Sequence, residues 1–384
     1  MGLGDRGKIQ VWDDLEGDHM TNSFFANFSK RFARSLTMLL AASSIALAAN
    51  VPVAPFSFGG NTATDSVKWD QLMKYKLWAE GNSATEAAIF LYGNVHLTDT
   101  VGYVGSPKGA LQFTNQFHEL GGPILFKGNF SNGDGGDTFM NGPTRFGGRF
   151  NVSSNGSNTN QFKGFYCFGN GSTNFNGTID CSKVPAVDED LSMPSVKSGY
   201  TYSDTINSIT RDNSNYFIDV PPGTDVYDIL VGSISMQNNG NIYVRMPPEG
   251  RPTRIFVTGN VKFTNSTSVK VIYAANDGQW NKTAKTWSTT ANDAAPDSLY
   301  NGDLLLYFAQ SLAFPAGSNN RSMQGTIISP HEVNIKQHMS FAGQIIAKKL
   351  PLMQISRPTS SVTSRSIRLR SIPRLWRPVR FMKA

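Results

Sequence analysis

The sequence predicts an all-β protein, a right-handed parallel β-helix (β-solenoid), and two recurrences carry that prediction. Three separated stretches repeat one phrase: Ile89-Phe90-Leu91-Tyr92-Gly93-Asn94-Val95, Ile124-Leu125-Phe126-Lys127-Gly128-Asn129-Phe130 and Ile255-Phe256-Val257-Thr258-Gly259-Asn260-Val261. A second pair, Gly325-Thr326-Ile327-Ile328-Ser329 and Gly343-Gln344-Ile345-Ile346-Ala347, returns after 18 residues. Each phrase is a short β-branched or aromatic run beside a glycine corner, which suits a short strand followed by a bend. Return after about one coil length marks stacked rungs that bury their apolar faces on one another. The isoleucines of the phrases are therefore expected to point inward.

Composition agrees with a turn-rich, extracellular β protein more than with a helical cytosolic enzyme. Only 16% of the 384 residues are charged, and glycine alone accounts for 36. The pI near 9.3 invites a nucleic-acid reading, but the charge is concentrated at one end. Arg357, Arg365, Arg368, Arg370, Arg374, Arg377, Arg380 and Lys383 leave everything before them at a net charge of about −1. A nearly neutral body excludes an electrostatic nucleic-acid footprint.

Along the chain, residues 1–19 include the acidic run Asp13-Asp14-Leu15-Glu16 and read as a non-native extension before Met20. Residues 20–48 have signal-peptide order: basic Lys30, Arg31 and Arg34, apolar Leu36 to Ile45, then small Ala46 and Ala48 at the cleavage region. The apolar stretch is too short to predict a membrane span after signal removal. Residues 49–86 form a leader and cap, with Val67 to Ala79 read as a helix or irregular cap over the first rung. The solenoid is expected over 87–350, interrupted by a loop at 182–215 and a polar insertion at 275–298 that carries Trp280 and Trp287. From Pro351 to residue 384 the composition turns to Ser, Arg and Pro and reads as a basic disordered tail. The two cysteines, Cys167 and Cys181, are candidates for one disulfide in an oxidising compartment.

The phrases Asp219-Val220-Pro221-Pro222-Gly223, Arg254 to Asn260, Gly325 to Pro330 and Gly343 to Lys348 resemble the secreted "choice-of-anchor A" family. They particularly resemble the Asn/Gly-rich surface versions found in fibre-degrading bacteria. The last two rungs also resemble the end of ice-binding β-solenoids. The resemblance covers about residues 87–350, in pattern more than in identical residues. It implies an exported, non-catalytic β-helical module with a variable C-terminal anchor; here no sorting motif or second apolar span is visible, only the basic tail.

Sites are sparse. Asn132-Gly133-Asp134-Gly135-Gly136-Asp137 approaches a calcium-binding nonapeptide, with Asp134 and Asp137 as hard oxygen donors, but no second copy follows to share the ion. There is no zinc-protease, nucleophile-elbow or Walker motif, and no cofactor is expected. His331 and His338 lie among strand patterns, and Asp188-Glu189-Asp190 reads as a solvated loop. Phe162, Phe165, Tyr166 and Phe168 read as interior stacks, whereas Trp280 and Trp287 are the candidates for stacking on sugar rings. The reading is an exported surface or adhesion module that engages plant cell-wall polysaccharide or another cell-surface component. Two alternatives stay open: a β-helical carbohydrate-active enzyme, and an ice-surface binder. The second needs a regular threonine array that Thr258, Thr264 and Thr326 do not form. Exported protein is expected to start near Ala49; N-terminal sequencing checks this, and an intact Met1 on cytoplasmic protein would refute it.

Overall fold

The computed structural model describes residues 55–352, apart from 93–94, 98–101, 115–116, 134–135, 154–159, 265–266, 289–303, 316–320 and 337–338. It is a parallel β-solenoid of about 9 turns, with 51% strand and 6% helix. Each rung contributes short strands to three sheets. Inward side chains of both halves of the chain share one apolar column, and Ile89, Ile124, Ile255, Ile327 and Ile345 all lie in it, buried. The 18-residue return is a true rung: Gly325 faces Gly343 and Ile327 faces Ile345. Gly343 has φ 150°, and a Cβ there would stand 2.0 Å from the Gly325 carbonyl oxygen, so only glycine fits. The three longer phrases are not equivalent, however. Ile124 and Ile255 belong to the first sheet, whereas Ile89 pairs with Leu111 in the second.

The rungs do not stack in chain order. Strand Tyr75–Ala79 pairs in parallel with Tyr103–Ser106 on one side and with Met339–Leu352 on the other. From this centre the chain winds outward through Ile124–Phe126, Thr144–Phe146 and Phe165–Phe168 to Thr178–Ile179. It then crosses to the opposite end at Asp204–Ile206 and winds back through Tyr227–Val231, Thr253–Val257 and Leu304–Phe308. Strands Arg321–Ile335 and Met339–Leu352 close the stack onto its starting strand. The expected cap over residues 67–79 is thus corrected. The helix, α1, is Thr62–Leu72, capped by Asn61, whose side chain accepts from the Thr64 N–H. Tyr75–Ala79 is a fully buried strand inside the stack.

The return crossing replaces the expected loop at 182–215. Residues 180–203 run as a strap along the outer side of the first sheet, and 204–215 already include strands Asp204–Ile206 and Ile209–Asp212. The ladder from Thr178–Ile179 to Asp204–Ile206 spans roughly 50 Å at about 4.8 Å per rung, well within the reach of a strap of this length. Its start is fixed by the Cys167–Cys181 disulfide, Cα–Cα 4.7 Å. Arg145 donates to the carbonyls of Cys181, Val184 and Pro185 at 2.7–3.1 Å. Midway, Tyr75 bonds Asp188 and Lys127 bonds Glu189. Further along, Phe56–Ser57 pairs with Ser195–Val196.

Under strap and helix lies a second apolar layer. Trp78, Leu125, Phe256, Ile328 and Ile346 point away from the column yet are buried. Phe56 stacks on Trp69 of α1 at 4.9 Å and reaches Phe256 and Tyr307 at 5.8 and 5.7 Å. Continuous hydrophobic runs in these strands follow from burial on both faces. The strand Met339–Leu352 also carries Pro351 and buried Leu352, so the apolar rung extends past the expected end at Leu350. Residues 1–54 and 353–384, with the signal, Ala46, Ala48 and the basic tail, lie outside the described residues.

Two consequences are measurable. At the meeting of the two halves Glu80 is bonded by Lys108 at 2.5 Å and by Lys348 at 2.9 Å. Burial alone would raise its carboxyl, but bonds and charge from the two lysines outweigh burial and hold it below the usual range. A depressed folded-state value gives stability that is present above the unfolded pKa of about 4.3 and is lost as pH falls through the folded value. Wild type should therefore lose Tm on acidification below about pH 4, and Glu80→Gln should flatten that part of the Tm–pH curve; identical curves would refute the role. Second, Cys167→Ser with Cys181→Ser should cost about 3 kcal/mol for a loop of this size, read as a lower urea midpoint. An unchanged midpoint would show that the strap is held without the disulfide, by Arg145 and its other anchors.

Candidate binding face

The three sheets differ in what lies on their outer sides. The first is covered by α1 and the strap. The third is broken by charged and aromatic pairs: Phe217 stacks on Tyr243 at 5.3 Å, Arg245 stands over Phe217 and is paired with Asp219, and Phe117 packs on Phe139. Among the described residues no helix or strap packs on the outer side of the second. The inner residues of its strands (Ile89, Leu111, Phe130, Phe150, Leu312, Val333 and Leu350 among them) all face the column.

Register sets the outward residues in rows. In one half, Phe90, Gln112, Ser131, Asn151 and Thr173 follow each other rung by rung. Pro351 pairs with Phe90 on the other side, and Asn334 lies one rung further, facing Ala313. At the far end Lys262, Ser235 and Thr210 continue the series. All these positions are exposed or half-buried, and Lys262 is their single charge. Beside them runs a second row that includes Tyr92, Thr114, Thr264 and Gln237, together with exposed Asp212, the register partner of Gln237, and exposed Lys336. The surface is long and rich in amides and hydroxyls, and its charges, among them Lys262, Asp212, Glu332 and Lys349, are of both signs.

The residues singled out in the sequence fall elsewhere. Trp287 is buried, and its Nε1–H donates to the Val220 carbonyl at 2.8 Å. Its ring packs edge-on against half-buried Trp280 at 5.5 Å, in a hairpin of Trp280–Asn281 with Thr286–Trp287. The pair is a structural clasp, and only Trp280 retains exposed surface. Phe162 and Tyr166 are buried and Phe168 packs on the column, as interior stacks; Phe165 is exposed. Asp137 is half-buried and its carbonyl accepts the His118 N–H at 2.9 Å, while Asp134 lies outside the described residues. Asp188 and Glu189 are engaged by Tyr75 and Lys127 as strap anchors. Burial, then the Asp188 charge, pushes the Tyr75 phenol upward. Among the described residues no group of three His, Cys, Asp or Glu side chains is placed to hold a metal ion. Within them, too, no helix is long and apolar enough to cross a membrane.

The buried polar cluster of the first sheet is structural in the same sense. Asp228 and Arg254 face each other across adjacent rungs and are bonded at 2.5 and 2.6 Å, and Tyr200 of the strap bonds both. Burial and the Asp228 carboxylate push the Tyr200 phenol up to about 12. It therefore stays protonated and donates to Asp228. No protein-family model, curated protein or solved structure matches this chain.

Proposed function

We propose that this protein is an exported, non-catalytic surface module that adheres to an extended, uncharged polysaccharide, such as plant cell-wall material, through the outer side of its second sheet. The observation that carries the reading is the long outer double row of the second sheet, in which most side chains are amides or hydroxyls and the few charges are of both signs. A polyanionic partner would call for a basic stripe, and an apolar protein partner for a hydrophobic core patch. This face offers neither. It offers hydrogen-bonding groups repeated at about 4.8 Å along a straight line, which suits a stiff polymer that presents hydroxyls at every unit. A disulfide is in keeping with an oxidising, extracellular setting, as is the resemblance to exported surface proteins.

The test is co-sedimentation with insoluble cellulose and xylan, comparing wild type with Gln112→Glu/Asn151→Asp. Both positions point outward, so Tm should hold while retention falls at least about tenfold, since the new charges would be desolvated against a neutral polymer. Equal retention of the charged variant would overturn the assignment of the face.

A further inference from the structure

Within this face one locus departs from the rest, and it lies where the two halves of the solenoid meet. Outward positions elsewhere in the row are mostly small or polar, but at the meeting point Phe90 and Pro351 stand side by side on adjacent strands. Their strands do not need them for packing. The inner neighbours Ile89, Leu91, Leu350 and Leu352 are all fully buried and already fill the column. Phe90 and Pro351 are half-buried, and the Tyr92 ring, also half-buried, meets Phe90 edge to face. Exposed Gln112 flanks the pair on one side, and Asn334 on the other, its Nδ2 donating to Glu332 at 2.9 Å.

We infer that Phe90 and Pro351, flanked by Gln112 and Tyr92, form a pyranose subsite, the central anchor for a neutral polysaccharide lying along the face. This rests on the proposed function above. An apolar platform two strands wide matches the C–H face of one sugar ring, since aromatic faces favour such contacts and keep polar edges wet. The Gln112 amide and Tyr92 hydroxyl then stand where ring hydroxyls need partners, with donors and acceptors of both kinds. The charges nearest the platform are engaged: Glu332 accepts from Asn334 at 2.9 Å, Lys349 and Glu86 are paired at 3.1 Å, and Lys348 and Glu80 at 2.9 Å.

The position adds a second property. Phe90 belongs to the first described rung of the stack and Pro351 to its last, so the subsite exists only when the two halves are joined. A ligand there binds the closed solenoid and not the unfolded chain, and must raise its stability by mass action.

The experiment is titration calorimetry of the full chain with cello-hexaose and xylo-hexaose, with Tm followed in parallel. Wild type should bind at least one oligosaccharide and gain Tm with concentration. Phe90→Ala should weaken binding at least about tenfold, the scale of 1.4 kcal/mol, while Phe90→Trp should preserve it. Val67→Ala, on the exposed side of α1 and outside the face, should leave affinity for these ligands unchanged. If wild type binds and Phe90→Ala binds equally well, the subsite is overturned, while the face survives as long as Gln112→Glu/Asn151→Asp loses retention. If wild type retains neither oligosaccharide nor insoluble polymer, both readings fall together.

Discussion

The structure depends on one strand being in the middle. Tyr75–Ala79 is early in the described chain, yet its hydrogen bonds go to Tyr103–Ser106 and to the final strand, Met339–Leu352. Parallel strands cannot be joined by a tight turn, so a stack that starts at its centre must at some point carry the chain from one end to the other. That necessity produces the strap, and the strap in turn covers the first sheet. The doubly buried residues Trp78, Ile328 and Ile346 then become possible. The small pair Ala79 and Ala347, in register, lets the two halves approach at the junction. Gly105 does the same on the outer side, where a Cβ would stand 2.4 Å from the Leu125 carbonyl oxygen and 2.7 Å from the Tyr75 ring.

Covering one sheet also determines where charge can be placed. Asp228 and Arg254 would be costly in isolation under the strap, but they are bonded to each other through two hydrogen bonds and to Tyr200. Ser203 then donates its N–H to the Asp228 carbonyl at 2.8 Å, at the point where the strap turns into its first strand. The ion pair thus marks the end of the crossing as the disulfide marks its beginning. With the first sheet closed and the third interrupted, the second is left as the one long surface without other duties.

Much of this was legible and some was not, for physical reasons. Parallel stacking was readable because each rung must repeat an apolar strand and a glycine corner, and the Gly325/Gly343 pair shows the repeat at its tightest. The central insertion was hidden, since nothing local in Tyr75-Lys76-Leu77-Trp78-Ala79 says that its second partner lies some 270 residues away. Its dense apolar character was visible, but it suited a cap as well as a strand buried on both sides. The proposed binding face was hidden for a related reason. Phe90, Pro351 and Gln112 come from distant segments, and only the register brings them into one row. The tryptophans misled in the opposite direction: a polar neighbourhood suggests exposure, but Trp287 uses its N–H on a backbone carbonyl and its ring as cover.

That cover answers a problem every open solenoid has. An end rung presents unpaired parallel edges and an open apolar column, a template for adding another rung from another molecule. At the Asp204–Ile206 end two inner-row positions are charged: Asp204 stands in the row of Ile229, and Arg211 in the row of Met236. Neither is left bare. Burial would raise the Asp204 carboxyl, but Lys285, the Thr205 N–H and Tyr227 outweigh it and hold it low, and Arg211 lies on the Tyr216 ring. Lys285 comes from the same hairpin whose Trp287 bonds Val220, so the insertion reaches back to close the end that the inward charges protect. The opposite end is closed without charge, by Phe175 packed on Phe150, Phe162, Tyr166 and Phe168. An apolar rung offered to the first end would have to bury Asp204 and Arg211 against hydrocarbon, so stacking stops there. The outer side of the second sheet, proposed above as the binding face, runs along the rungs and is separate from both of these ends.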